Sequence, residues 1–322
     1  MRRALTGIQP SGTLHIGNYL GSIRPALDLQ LEFAPYYFVA DYHALTSIQD
    51  PETLKQATRE IAASFLALGL DTKRTVLFRQ SAVPEVCELA WILACQVPPG
   101  VLDRGHAVKA AIDGKREINA GIMFYPILMA ADILMYGTHL VPVGRDQKQH
   151  VEIARDIALK VNYRFGDDTL VVPEVMIREE VGVVPGTDGR KMSKSYGNIL
   201  PLWAPAKKMR KAVMRIVTDS KGLDDSKDPD ECNVFNLFKL FATTEQVEEM
   251  RGNYQRGGFG YGHAKQALFE SIEATLAEPR EKYFEYMRDP KSLDDVLAHG
   301  ANRAREAASV TIDRLRQRVG LT

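Results

Sequence analysis

Two short segments far apart in the chain carry residue types suited to binding a nucleoside triphosphate. Gly12-Thr-Leu-His-Ile-Gly-Asn18 places two glycines five residues apart, where an apolar strand (Arg3–Ile8) is predicted to lead into a helix. Such a turn lets backbone N–H groups approach a phosphate, and the helix start favours an anion. The pattern is close to a P-loop, but Asn18 stands where the phosphate-binding lysine belongs. The missing cations occur much later, in Lys191-Met-Ser-Lys-Ser195.

These residue types suit an in-line attack of a carboxylate oxygen on the α-phosphorus of ATP, with pyrophosphate leaving. Such chemistry requires positioning and charge stabilisation more than covalent work by the protein. His15 can donate a hydrogen bond to the α-phosphate, and Lys191 and Lys194 can neutralise the pyrophosphate beside Mg²⁺. The glycines of Pro185–Gly189 predict a loop that closes after ATP binds. Alone, the glycine segment would fit a structural turn equally well, and the lysine segment would fit a solvated basic loop. Only their combination indicates a nucleotide site.

The elements between the two segments predict an α/β fold with a parallel sheet, because short apolar runs alternate with amphipathic helical stretches. Four strands are predicted, at Arg3–Ile8, Tyr36–Ala40, Thr75–Arg79 and His139–Val143. Two helices are predicted among them, at Glu52–Leu68 and Tyr125–Tyr136. Ligands of open α/β sheets bind beyond the carboxyl ends of the strands. Residues 7–11, 41–43 and 144–147 should therefore converge on one crevice.

After about Pro201 the pattern becomes helical. Three further helices are predicted, a basic one at Pro205–Val217, then Asn233–Ala242 and Ala301–Val319. The glycine-rich stretch Gly252–Gly262 resembles an RNA-binding tract, but its shortness favours an ordinary loop between helices. The sequence predicts a Rossmann-like catalytic domain at residues 1–195, a smaller all-α domain at 196–295, and a terminal helix (296–322) that packs back on the first.

Composition is typical of a globular protein, with 45% hydrophobic and 25% charged residues among 322. The 41 basic and 41 acidic side chains balance, so any contact with RNA must use local patches. Cys87, Cys95 and Cys232 form no C-x-x-C pair, which favours a reducing compartment and argues against disulfides, structural zinc or an iron–sulfur cluster. Neither a signal peptide nor an apolar run of about 18 residues is found. We expect a cytoplasmic protein without membrane contact.

The order of the motifs resembles that of the class I aminoacyl-tRNA synthetases, and most closely the bacterial tryptophanyl enzymes. The resemblance covers roughly residues 5 to 200 and rests on four segments, Gly7–Gly21, Asp41–Thr46, Ala130–Leu134 and Val141–His150. It implies a ligase that uses ATP and Mg²⁺ to form tryptophanyl-adenylate and passes it to tRNA(Trp). It also implies an anticodon-binding helical domain and a homodimer.

The choice of amino acid depends on Tyr125-Pro-Ile-Leu-Met-Ala-Ala-Asp132. The tyrosyl enzymes are similar here but have glutamine in place of Met129, whose thioether suits an aromatic face. Asp132 is left as an acceptor for one donor, which fits an indole N–H. A substrate without that donor would leave a buried carboxylate unpaired. This can favour tryptophan over such a substrate by a factor on the order of 10⁴–10⁵. An alternative interpretation gives these residues no part in substrate binding: Met129 and Ile133 lie in the core, and Asp132 lies on the helix surface.

The resemblance implies three sets of site residues. Those expected at ATP are Gln9, Pro10, Ser11, Gly17, Asn18, Gly144, Arg145, Asp146, Lys191, Met192, Ser193, Lys194 and Ser195. Those expected to act in catalysis are His15, Lys191, Ser193 and Lys194. Those expected around tryptophan are Gly7, Gln9, His43, Tyr125, Met129, Asp132, Ile133, Val141, Val143 and Gln147, although His43 fits a packing role equally well. No protein-held metal site is predicted.

The chain also departs from the resemblance. Leu5 and Ala40 are smaller than the residues common in relatives and predict a roomier pocket unless neighbours compensate. In His106–Ala111 one of two lysines common in relatives is absent, so that Lys109 remains and Lys115 is a candidate substitute. Two other functions stay open from the sequence. One is tyrosine specificity, and the other is a non-catalytic homologue that binds tRNA or nucleotide.

Overall fold

The computed structural model describes residues 1–10, 12–103, 119–144, 147–177 and 183–321. The described residues contain a five-stranded parallel sheet in the order β3-β2-β1-β4-β5. Its strands are β1 (Arg3–Ile8), β2 (Ala34–Val39), β3 (Val76–Arg79), β4 (Leu140–Val143) and β5 (Glu174–Ile177). Thr6 of β1 pairs with Tyr37 of β2, and Ala4 pairs with Leu140 of β4 on the other side. The strand order therefore reverses at β1, where a ligand crevice is expected.

Helices cover both faces of this sheet and make up the region after it. They are α1 (Ile16–Asn18), α2 (Arg24–Leu29), α3 (Asp41–Ala44), α4 (Pro51–Ala67), α5 (Glu85–Ala94), α6 (Pro99–Asp103), α7 (Ala120–Met135), α8 (Lys148–Phe165), α9 (Ala206–Met214), α10 (Asn233–Phe238), α11 (Thr244–Arg256), α12 (Tyr261–Arg288) and α13 (Pro290–Val319). A π-helical turn, Tyr19–Ile23, joins α1 to α2, and 3₁₀ turns occupy Gln80–Ala82 and Lys194–Tyr196. The prediction of an α/β fold with a parallel sheet is confirmed. Within the described ranges, no helix has the length and apolar character needed to cross a membrane.

Two apolar cores lie on opposite faces of the sheet. One joins Phe65 of α4 to Phe235 and Leu268 of the later helices, so the helical region shares a core with the sheet's flank. The other joins the inner faces of α5, α7, α8 and α13. In that core α13 comes so close to β3 that a methyl group on Gly300 would collide with the Leu77 backbone.

The elements differ from the sequence predictions at several places; α7, for example, begins at Ala120 and not at the predicted Tyr125, because the Asn119 side chain accepts from the Ile122 N–H. The last helix begins at Pro290, eleven residues before the predicted Ala301, because Asp289 accepts a 3.1 Å hydrogen bond from the Ser292 N–H and Pro290 fills the first helical position. β5 was missed, since its side chains are half-buried or exposed and give no apolar run. The favoured helix–helix loop is confirmed, but it is short because α11 continues to Arg256.

Candidate active site

The glycine turn and the lysine loop, far apart in sequence, lie against each other. Gly12 has a φ of +86°, and a Cβ built on it would lie 3.7 Å from the Lys194 Nζ. The Gly17 N–H contacts the Met192 Sδ at 3.3 Å. Backbone bonds join the flanking residues, from the Ile16 N–H to the Leu200 carbonyl at 2.9 Å. The two segments thus form one site, as the sequence predicted.

A buried asparagine that the sequence reasoning missed shapes the lysine loop. Asn198 donates to the Asp188 Oδ1 at 2.7 Å and to the Lys191 carbonyl at 3.1 Å, and accepts from the Ser193 N–H at 2.8 Å. The bond from Asn198, followed by that from Arg190, holds the pKa of Asp188 below its usual range. An asparagine three residues after Lys-Met-Ser-Lys-Ser was the only available signal, and it does not reveal burial.

A cleft of about 800 Å³ opens over the junction of the two segments. Eight of the residues predicted at ATP or in catalysis line it, namely His15, Gly17, Asn18, Gly144, Lys191, Met192, Ser193 and Lys194. The cleft is also lined by Val183 and Tyr196, which the sequence reasoning missed. Ser11, Arg145 and Asp146 lie outside the described residues, as do Lys109 and Lys115. Among the described residues, Pro10 and Ser195 do not line this cleft, and Gln9 lines the neighbouring pocket instead.

His15 is neutral at pH 7 in this cleft. Burial, and then the charge of Lys194, lower its pKa from 6.5 to about 4. The Asn18 side chain accepts from the His15 backbone N–H at 3.1 Å. His15 itself is part of the cleft lining. A neutral imidazole carries one N–H, so His15 can offer a hydrogen bond to a phosphate without competing with the lysines for charge.

The His15 pKa predicts a pH-dependent penalty to stability. Between pH 6.5 and about 4 the unfolded chain takes up a proton that folded His15 does not, so stability falls as pH is lowered. His15→Gln removes the titrating group and therefore this pH-dependent loss of stability. The urea midpoint of the variant should fall less than that of the wild type between pH 7 and pH 5. The exposed His299→Gln should behave like the wild type. Parallel midpoints for His15→Gln and wild type over this range would contradict the assignment.

A second pocket, of about 250 Å³, lies beside the cleft at the carboxyl ends of β1, β2 and β4. All ten residues predicted around the amino acid line it, namely Gly7, Gln9, His43, Tyr125, Met129, Asp132, Ile133, Val141, Val143 and Gln147. Gln147 also lines the larger cleft, so the two spaces meet there. Leu5 and Ala40 line the pocket as well, and the Phe38 ring packs against Gly7 within it.

Asp132 is the buried carboxyl group of this pocket, with 1% of its surface exposed. Its Oδ2 lies 3.0 Å from the His43 Nε2, and the Gln80 Nε2 donates to its two oxygens at 2.9 and 2.8 Å. Burial raises the pKa of this carboxyl, and the bonds from His43 and Gln80 oppose that rise. The alternative that put Asp132 on a helix surface is therefore wrong, because α7 is apolar around most of its circumference and is buried there.

His43 combines the two roles that the sequence left open. Its ring packs on Tyr125, with 4.3 Å between centroids, while its Nε2 faces Asp132. Gln80 was missed by sequence reasoning; its position at the carboxyl end of β3 was the signal that could have identified it.

The sheet, the paired glycine and lysine segments, and a side pocket holding one buried acid define the catalytic fold of a class I aminoacyl-tRNA synthetase. The family of tRNA synthetases class I (W and Y) matches residues 1–277. The chain belongs to this family.

Full-length relatives narrow the choice. The chain is 48% identical to tryptophan–tRNA ligase of Rhodopirellula baltica over 99% of both chains, and 47% identical to that of Campylobacter jejuni over 99% of this chain and 100% of the relative. A crystal structure of the tryptophanyl-tRNA synthetase from C. jejuni, complexed with ADP and tryptophan, superposes with a TM-score of 0.94 at 47% identity and covers 99% of each chain. The prediction of an enzyme with tryptophan–tRNA ligase activity is confirmed over the tyrosyl and non-catalytic alternatives.

Proposed function

We propose that the chain forms tryptophanyl-adenylate by placing the indole ring in the 250 Å³ pocket, where Asp132 accepts the indole N–H. The observation that carries this proposal is the burial of Asp132 in a pocket whose lining also includes the apolar side chains of Met129, Ile133 and Val141. An ionised carboxylate only accepts, and the indole nitrogen only donates, so the two groups are complementary. The phenol hydroxyl of tyrosine lies at a different distance from the amino acid's backbone than the indole N–H does. It can also accept a hydrogen bond, which the indole N–H cannot.

The larger cleft is the proposed site of MgATP, which enters as a substrate with Mg²⁺ on its phosphate oxygens. The backbone of Gly17 and the ring of neutral His15 face the phosphates, and Lys191 and Lys194 face the pyrophosphate. Burial lowers the pKa of Lys194 from that of an ordinary lysine. The two lysines provide positive charges that stabilise the negative charge developing on the leaving pyrophosphate.

The reaction takes place where the two spaces meet, at Gln147. With the indole at Asp132, the amino acid's carboxylate points towards this junction, and Gln9, Tyr125 and Gln147 are its proposed partners together with the ammonium group. A carboxylate oxygen attacks the α-phosphorus, the bond to the bridging oxygen breaks, and pyrophosphate leaves with that electron pair. Holding both reactants in line supplies most of the rate enhancement.

Pyrophosphate exchange with tryptophan and tyrosine supplied separately tests this proposal. We expect exchange with tryptophan and a loss on the order of 10⁴ with tyrosine, because a phenol hydroxyl lies at a different place on its ring from the indole N–H and would leave the buried Asp132 without its partner. Faster exchange with tyrosine would overturn it.

We place tRNA(Trp) on the helical region, with α9 as its proposed contact. Lys207, Lys208 and Lys211 are exposed on this helix, while Met209 and Val213 are buried against the core. A stripe of cations on one exposed face suits a phosphate backbone, and it supplies the local patch that a chain of zero net charge needs. Residues 196–295 remain the proposed anticodon-binding domain. The enzyme then works in the cytoplasm, where its tRNA is used.

We propose a homodimer that uses an apolar surface on α5, α7 and α8. Trp91 is 69% exposed, Tyr163 is 92% exposed, and Phe124 and Leu159 are nearly half exposed. The two outer helices are tied at one end, where Lys160 and Arg164 both donate to Gln96. An apolar surface of this kind is typical of an interface.

Charges placed in this surface should produce monomers. The double variant Trp91→Lys, Tyr163→Glu should sediment at 35.9 kDa, while the wild type sediments at twice that mass. Leu31→Lys, which alters an exposed leucine on another part of the molecule, is the control and should remain dimeric. A wild type that sediments as a monomer, or a double variant that stays dimeric, would contradict the proposed interface.

A further inference from the structure

Gln80 is a fully buried glutamine that stands behind Asp132 and outside the lining of the amino-acid pocket. It begins the 3₁₀ turn after β3. Its side-chain Nε2 donates to both Asp132 oxygens, and its Oε1 accepts from the backbone N–H groups of Tyr42 at 3.1 Å and His43 at 3.4 Å. Every polar atom of the Gln80 side chain is therefore engaged with a fixed partner.

The surroundings allow only one orientation of the Gln80 amide. Backbone N–H groups can only donate, so the side of Gln80 that faces Tyr42 and His43 must be the carbonyl oxygen. The NH₂ group then faces Asp132. A flipped amide would set donors against donors and an oxygen against a carboxylate, with every group buried.

The turn that carries Gln80 is locked to the turn that carries His43. The Ser81 N–H donates to the Asp41 Oδ1 at 2.9 Å, and the Ser81 hydroxyl donates to the other Asp41 oxygen. Asp41 begins α3, the same short helix that contains His43. The two residues that donate to Asp132 therefore belong to one interlocked unit rather than to two independent loops.

This unit leaves Asp132 a limited acceptor capacity. A carboxylate accepts about four hydrogen bonds, and Gln80 and His43 account for three contacts. Because Asp132 lines the pocket, we assign its remaining capacity to a ligand bound there. Only a donor can satisfy it as long as Asp132 keeps its charge.

We infer that Gln80 is a positioning residue for amino-acid specificity: it holds Asp132 as a charged acceptor aimed into the pocket, so that the substrate must bring an N–H. This inference rests on the proposed role of Asp132. Gln80 touches no substrate and is not a catalytic residue.

Loss of Gln80 would relax the requirement for a donor in two ways. Asp132 would be free to rotate about its side-chain bonds, and its pKa would rise further because a bond that favours the charged form is gone. A protonated Asp132 can donate as well as accept, so it no longer rejects a ring without an N–H. The titratable groups that face Asp132 and are kept in the experiment are Asp41 and His43 of α3, Tyr125 and Tyr136 at α7, and Cys87 of α5.

The experiment compares tryptophan with its benzothiophene analogue, in which sulfur replaces the indole N–H, in pyrophosphate exchange. Gln80→Met keeps the length of the side chain and removes its polar atoms. We expect the ratio of kcat/KM for tryptophan over the analogue to fall about tenfold or more, since the lost bonds are to a charged group. KM for ATP should be unchanged, and the acid limb of the tryptophan profile should move to higher pH. Gln149→Met, on the exposed start of α8, is the matched control.

If Gln80→Met does not fold, Gln80→Asn tests the positioning role of Gln80 instead. Its shorter side chain keeps an amide but cannot reach both Asp132 and the α3 backbone, so the ratio should fall part of the way. An unchanged ratio and an unmoved pH profile in a folded variant would overturn the inference. Failure of the proposed function gives a different result, because Asp132→Asn would then leave the ratio intact, whereas failure of the inference alone leaves Asp132→Asn defective and Gln80 variants normal.

Discussion

Asp132→Asn should lower kcat/KM for tryptophan in pyrophosphate exchange on the order of 10²-fold, because a hydrogen bond to a charged group is worth about 1.5–3 kcal/mol. The change retains the shape of the side chain but places an NH₂ group among the donors of His43 and Gln80, which now face a group that can no longer accept from all of them. KM for ATP should stay as it is, since Asp132 lines the small pocket and not the nucleotide cleft.

The controls for Asp132→Asn separate specificity from stability. Asp156→Asn changes an exposed acid on α8 and should leave both substrates unaffected. The benzothiophene analogue, which we expect to be a poor substrate of the wild type, should lose much less activity than tryptophan in Asp132→Asn. Equal losses for tryptophan and analogue would show that the substitution damages the fold rather than the recognition of the indole N–H.

Lys194→Ala should slow adenylate formation about 10²- to 10³-fold, the range seen when one stabilising group is removed from a developing charge. The Lys194 ammonium lies beside Gly12, where the glycine turn meets the lysine loop, and can contact the phosphates from that side. Tryptophan binding, followed by fluorescence quenching without ATP, should not change. Burst measurements of the adenylate separate the chemical step from product release.

A second lysine variant serves as the control for Lys194→Ala. Lys282 is an exposed lysine of α12, paired with Glu278 and not lining either cavity, and Lys282→Ala should leave adenylate formation normal. The assigned role requires that Lys194→Ala affect the rate and not the affinity for tryptophan. Equal effects on both would mean that Lys194 supports the fold of the site.

The sequence predicted the parts of this molecule where local signals are strong. β1 was found at its predicted bounds, and the predicted helix Glu52–Leu68 lies within one residue of α4, whose start is capped by the Asp50 side chain accepting from the Thr53 N–H at 2.7 Å. The contact of the glycine turn with the lysine loop was predicted because neither segment alone forms a phosphate site. The family resemblance placed ten residues around one pocket.

Features that depend on distant contacts could not be predicted. Gln80, Ser81 and Asn198 are ordinary polar residues in the sequence, and their partners, Asp132, Asp41 and Asp188, become neighbours only in the fold. The half-exposed strand β5 gave no apolar pattern because it forms the sheet's edge, where one side of the strand faces away from the core. The low pKa of His15 likewise depends on the fold, first through burial and then through the charge of Lys194.

A crystal structure of the enzyme with tryptophan bound would show the role of Asp132 directly. We expect the indole ring between Met129 and the β1 backbone, with its nitrogen within hydrogen-bond distance of an Asp132 oxygen and the amino acid's carboxylate turned towards Gln147. An indole nitrogen that faces any other group, with Asp132 satisfied by His43 and Gln80 alone, would contradict it.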